Sequence, residues 1–189
     1  MDEVQEILAA IARLQPAQKQ RLFGILAQQG ELPNQHAASS PTQAELRAAN
    51  SQPDGAPDYI IVFDGGSKGN PGLGYGSYTI NRVQDGARRL ERLHFGDGYT
   101  SNEAEYDTLI AALQDLIRRI EAGGREPREF ALEVRGDSAL VINQLRGAWK
   151  AKEPRMRERR DQCFRLLRRF GAVGLKTHPR EQSVRILGH

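Results

Sequence analysis

The sequence has little cysteine to work with. Cys163 is the only one in 189 residues, so no disulfide can form within the chain. That excludes the small secreted class held together by disulfides and fits a reducing, cytoplasmic setting. No apolar run approaches the roughly 20 residues that a membrane span needs, so no membrane partner is expected. The first residues, MDEVQEI, carry acid and no basic stretch leading into an apolar one, so no signal peptide is expected. An excess of one sign of charge is nearly absent too, since 27 basic and 24 acidic residues leave a net charge of only +3. With a pI of about 9.2, this mild excess is compatible with a polyanionic partner and does not identify one. What is present is ordinary: 39% hydrophobic and 27% charged residues describe a soluble globular chain. Its length suits one medium domain and a small accessory element.

Val4, Ile7, Leu8, Ile11 and Leu14 repeat at helical spacing. Pro16 can open a second helix whose apolar face is Leu22, Phe23 and Leu26, and Gly30 can stop it. Residues 1–30 therefore read as a helical hairpin. It is too small to bury a core alone, so it is expected to dock on the main domain, to self-associate or to bind a protein partner, with an interaction element preferred. Residues 31–57 are rich in Pro, Ser, Ala, Gln and Asn and read as a flexible linker.

From residue 58 the texture changes. YIIVFDGG is a short apolar strand running into glycine, and residues 76–82 and 88–95 alternate as two more strands. Residues 101–122 form a long helix with Ala104, Leu109, Ala112, Leu113, Leu116 and Ile120 on one side, stopped by Gly123 and Gly124. A strand at 130–135, helices at 139–145 and 153–170, and a last strand at 172–177 follow. The expected fold is α/β, a mixed five-stranded sheet with flanking helices over residues 58–189.

Three carboxylates stand at the ends of these elements. Asp64 lies where the first strand gives way to glycine, Glu105 in the first turns of the long helix, and Asp137 just after the fourth strand. If the first and fourth strands adjoin, Asp64 and Asp137 come side by side and the helix lays Glu105 over them. Clustered carboxylates resist burial unless a cation neutralises them, and oxygen ligands without thiolate suit Mg²⁺ or Mn²⁺.

The residues around these acids resemble type 1 ribonuclease H. Asp64-Gly65-Gly66-Ser67-Lys68-Gly69-Asn70-Pro71-Gly72 resembles the family's first-strand signature, and Thr100-Ser101-Asn102-Glu103-Ala104-Glu105 its Thr-Asn-Asn-x-x-Glu motif. Gly136-Asp137-Ser138 matches its Asp-Ser motif. Asn143 to Gly147 with Trp149-Lys150 and Pro154-Arg155-Met156 resembles its compact branch, which lacks a long basic protrusion. Thr177 to Gln182 resembles its Pro-Arg-Glu-x-Asn loop. The resemblance spans about residues 59–189. It implies a ribonuclease H-like domain in which Asp64, Glu105 and Asp137 hold two divalent ions, Mg²⁺ or Mn²⁺. The implied activity is hydrolysis of the RNA strand of an RNA–DNA hybrid, with 5′-phosphate and 3′-hydroxyl products. It also implies nucleic-acid contacts from Gly65, Gly66, Ser67, Asn70, Thr100, Ser101 and Asn102, with Trp149 and Lys150 gripping the DNA strand.

Two departures matter. Ser101 and Ala139 replace the family's usual Asn and Gln at positions that read the minor groove, which motivates an alternative nuclease that also cuts double-stranded RNA. The family's final Asp falls at Leu187, which cannot bind a metal. His189 is then the preferred fourth ligand, with Glu181, His178 or no fourth ligand as alternatives. The missing acid also motivates a third reading, a weakly active nucleic-acid-binding protein.

Overall fold

The computed structural model describes residues 41, 42, 45 and 55–188. The expected hairpin at 1–30, most of the linker at 31–57 and His189 lie outside the described residues. Among those described, no helix is long and apolar enough to cross a membrane.

Five strands form one sheet: β1 (Tyr59–Gly69), β2 (Gly72–Arg82), β3 (Arg88–Tyr99), β4 (Ala131–Gly136) and β5 (Ala172–Thr177), in the order β3-β2-β1-β4-β5. β1 runs antiparallel to β2 and parallel to β4, and β4 runs parallel to β5. A central strand is covered on both faces, which is why residues 61–66 of β1 are all buried and its first half reads as one apolar run. β3 is an edge strand. Glu91, Leu93 and Phe95 are half-buried while Arg92 and His94 between them are exposed, the alternation of a strand with one covered face.

Helix α1 (Ser101–Ala122) crosses one face. Its start is fixed by a capping box. The Thr100 hydroxyl accepts a hydrogen bond from the Glu103 amide (3.3 Å), and the Glu103 carboxylate accepts one from the Thr100 amide (3.0 Å). The predicted apolar stripe of α1 is buried throughout, from Ala104 to Ile120. The helix rests on the sheet at two glycines. A Cβ at Gly65 would lie 2.6 Å from the Ala104 carbonyl oxygen, and one at Gly76 would lie 1.8 Å from Thr108 Oγ1. Side chains alternate along a strand, so if Gly65 faces α1, Asp64 faces the other side.

Three further helices follow: α2 (Ala139–Leu145), α3 (Pro154–Leu167) and α4 (Arg180–Leu187). α3 packs beside α1, with Arg159 reaching Asp107 by two hydrogen bonds of 3.0 and 3.1 Å. α4 contacts β1 and β2, and the Arg88 guanidinium donates to the Ile186 carbonyl near its end.

The structure differs from the sequence reading at element ends. β3 continues four residues past Phe95, through Gly96 and Gly98 at positive φ, because an edge strand tolerates such residues. α3 begins with Pro154 in its first turn and stops at Leu167, three residues short of the expected Phe170. α4 has no counterpart among the elements expected from the sequence. Only Ser183 and Leu187 of its eight residues are buried, too few to show a helical period.

Candidate active site

Pairing between β1 and β4 ends at Phe63 and Gly136, so Asp64 and Asp137 are the next residue on each of two adjacent parallel strands. The sheet opens there, and Glu105 reaches in from the first turns of α1. Ligand oxygens of Asp64, Glu105 and Asp137 all lie within 4.8 Å of one another. This is the only such cluster of acid, histidine or cysteine side chains among the described residues, and it is the expected one.

The electrostatics are those of a site built for a cation. Burial, reinforced by the charges of Asp137 and Asp64, pushes the Glu105 carboxyl up to about 7 from 4.5; a hydrogen bond from Ser138 and the charge of Arg180 act against this. Burial and then Asp64 raise Asp137 as well, opposed by a backbone hydrogen bond, Arg180 and His178. Asp137 Oδ2 is buried and accepts no hydrogen bond; Arg180 Nη1 lies 3.9 Å from it. Oxygen donors held this close, one of them buried with an open lone pair, fit Mg²⁺ or Mn²⁺.

Ser138 does two jobs. Its hydroxyl accepts from the Val141 amide (3.3 Å), capping α2, and donates to Glu105 Oε2. Glu105 is thereby aimed by a residue 33 positions away. The sequence signal was only that a serine follows Asp137; nothing local tied it to Glu105.

His178 stands near the acids without joining them as a ligand. Its Nε2 shares a 2.7 Å hydrogen bond with Ser183 Oγ, its Nδ1 is buried without one, and burial lowers its pKa. Glu181 is exposed in the first turn of α4. Neither belongs to the carboxylate cluster. Leu187 is fully buried, so the apolar residue at the fourth-ligand position is packed core.

The expected nucleic-acid contacts gather in part. Asn70, Thr100, Ser101, Asn102 and Lys150 line one cavity of about 420 Å³, joined by Lys152 and Gln144. Gln144 was not singled out from sequence. Its buried amide accepts from the Tyr106 hydroxyl (2.8 Å) and donates to the Lys150 carbonyl (3.4 Å), tying that loop to the core. Gly65 and Gly66 are buried in β1, and Ser67 Oγ is buried without a hydrogen bond. Trp149 does not line the cavity; it stands 50% exposed beside Lys150.

The family model described as "Reverse transcriptase-like" matches residues 63–185. Ribonuclease HI of Halobacterium salinarum is 34% identical over 139 residues, which are 71% of this chain and 63% of that protein. A bifunctional protein of Mycobacterium tuberculosis is 33% identical over 125 residues, 66% of this chain and 32% of that protein. The chain thus spans less than two thirds of these relatives. The crystal structure of the Halobacterium salinarum RNase H1 superposes with a TM-score of 0.57 over 67% of this chain and 89% of that one, at 34% identity. LC11-RNase H1, solved in complex with an RNA/DNA hybrid, does so with a TM-score of 0.58 at 30% identity, over 67% and 89% of the two chains. Sequence, sheet order and the acid cluster agree, and the chain belongs to the type 1 ribonuclease H family.

Proposed function

We propose that this chain is a divalent-metal-dependent endonuclease acting in the cytoplasm. It hydrolyses the RNA strand of RNA–DNA hybrids by a two-metal-ion mechanism and leaves 5′-phosphate and 3′-hydroxyl ends. The observation that carries the reading is the convergence of Asp64, Glu105 and Asp137 within 4.8 Å, with two of them pushed toward protonation unless a cation arrives. Two Mg²⁺ or Mn²⁺ ions held there would activate the attacking water and stabilise the leaving oxygen. The chain's own residues do the rest. Ser138 holds Glu105 in place, and Arg180 sits where a phosphate beside Asp137 would need a positive neighbour. The cleft of Asn70, Thr100, Asn102 and Lys150 takes the second strand, with Gly65, Gly66 and Ser67 presenting backbone and Trp149 flanking the grip. That LC11-RNase H1 was solved with a hybrid supports this substrate.

His189 is our fourth ligand. Leu187 cannot serve, and Gly188, in the left-handed conformation, ends α4 one residue before it. His189→Ala should lower the metal-dependent rate severalfold or more; an unchanged rate removes it from the site.

The primary test is cleavage of a labelled hybrid with Mg²⁺ and with Mn²⁺. Wild type should cut and Asp64→Asn should not. Absence of cleavage by wild type with either ion refutes the nuclease reading and leaves a nucleic-acid-binding protein. A second reading, that double-stranded RNA is cut as well, is favoured by Ser101 and by the exposed Ala139, neither of which has a side-chain amide to present to a groove. Equal cleavage of hybrid and RNA duplex would establish it.

A further inference from the structure

A second cavity, of about 650 Å³, lies on the other flank of the catalytic acids and shares no lining residue with the cleft of Asn70 and Lys150. It is built from β1, β2, β3 and the first turn of α4. Lys68, Arg92, His94 and Arg180 line it, and no carboxylate does. In a chain with 27 basic and 24 acidic residues, that is a local excess the composition does not predict. Lys68, Arg92 and His94 make no ion pair with any described residue. Leu73, 50% exposed, supplies apolar wall.

The cavity is continuous with the acids in two ways. Arg180 lines it and also stands 3.9 Å from Asp137. Across the sheet, Asp64 pairs with Ser77 and Ser77 with Arg92, and the next row on this face joins Gly66, Tyr75 and His94. Arg92 and His94 therefore project on the face that carries Asp64. Two strand spacings, roughly 10 Å, separate Arg92 from it. The Tyr75 hydroxyl lies over Gly66 of the catalytic strand.

Three cations, an imidazole, an apolar wall and a tyrosine ring suit a ligand with a phosphate and a flat apolar part. We infer that this cleft binds a phosphorylated nucleoside unit. Its source is the unpaired nucleotide leading off a bound strand or a free 5′-mononucleotide. The strand source rests on the nuclease reading above; the free nucleotide does not.

The experiment uses the full chain in EDTA, where no cleavage occurs. Binding of a blunt hybrid, of a hybrid with a single-stranded RNA overhang, and of adenosine 5′-monophosphate is measured for wild type, for Arg92→Gln/His94→Gln, and for Lys68→Gln. These side chains are exposed and lie on two strands, so both variants should keep the wild-type melting temperature. The overhang should tighten wild-type binding on the order of tenfold. Both variants should lose that gain and still bind blunt hybrid within threefold of wild type. Mononucleotide binding that both variants lose, without any overhang gain, assigns the cleft to free nucleotide. No overhang gain and no mononucleotide binding in wild type overturns the inference, as does either one surviving in both variants. Failure of wild type to cut hybrid with Mg²⁺ or Mn²⁺, while it binds mononucleotide through Arg92 and His94, would sink the nuclease reading alone.

Discussion

Glu105 shows what the site costs when no ion is bound. Its carboxyl is raised from 4.5 to about 7, mainly by burial and then by Asp137 and Asp64. The folded protein therefore holds this proton more tightly than the unfolded chain does. Stability from this group is full below pH 4.5, falls as pH rises through the window from 4.5 to about 7, and is level above it. The shift sets a ceiling of about 3 kcal/mol, and Asp137 adds in the same direction. Melting temperatures in EDTA should accordingly drop by several degrees between pH 4.5 and 7.5. Millimolar Mg²⁺ should abolish the drop, because a cation replaces the proton. Glu105→Gln should flatten most of the EDTA curve; if its slope matches wild type, the acids are not the source. The three carboxylates were legible in the sequence because Asp64 follows an apolar run and precedes two glycines, Glu105 follows a helix start and Asp137 follows an apolar strand and glycine. Ser138 as the clamp on Glu105, and Arg180 beside Asp137, were not legible, since each acts across tens of residues and only the fold brings the partners together.

The seat of α1 on the sheet fixes where Glu105 points. Thr108 Oγ1 donates to the Ala104 carbonyl (2.7 Å) and lies directly over Gly76. A methyl group at residue 76 has no room, so Gly76→Ala must push α1 off β2. Overpacking of this kind costs about 2 kcal/mol, or roughly 6 °C in a domain of this size. The displacement should also weaken metal-dependent activity, because the N-terminal part of α1 carries Glu105. In a Thr108→Ala background the same substitution should cost less than half as much, read from a double-mutant cycle of melting temperatures. An equal cost in both backgrounds would show that residue 76 and Thr108 do not meet. Elements of this size were readable where a long pattern repeats. α1 shows its apolar stripe over 22 residues, and central β1 shows an unbroken apolar run. α4 was missed because eight residues with two buried positions carry no period. β3 was cut short because Gly96 and Gly98 look like breakers, although on a sheet edge they only bend the strand.

At the scale of the molecule, the net charge of +3 hides an uneven field. Many acids are answered internally: Asp107 by Arg159, Asp115 by Arg119, Glu121 by Arg169, and Glu133 by Lys176. In the catalytic cluster, Arg180 stands 3.9 Å from Asp137. Lys68, Lys150, Lys152, Arg157 and Arg165 form no ion pair with described residues and are all exposed. The overall count thus conceals unpaired positive charge, and the part of it that lines the two clefts, Lys68, Lys150 and Lys152, suits the polyanion proposed above. Composition alone left this undecided, because it cannot say which charges cancel each other. Lys150 and Lys152 line the cleft proposed for the second strand, so each should displace counterions from a bound hybrid. The logarithm of hybrid affinity should fall linearly with the logarithm of salt concentration, with a slope of about −3 to −4 for a handful of phosphate contacts. Lys150→Gln/Lys152→Gln should make that slope shallower by about 2, weaken binding most at low salt, and leave the melting temperature unchanged. A slope identical to wild type would mean that the strand does not pass through this cleft.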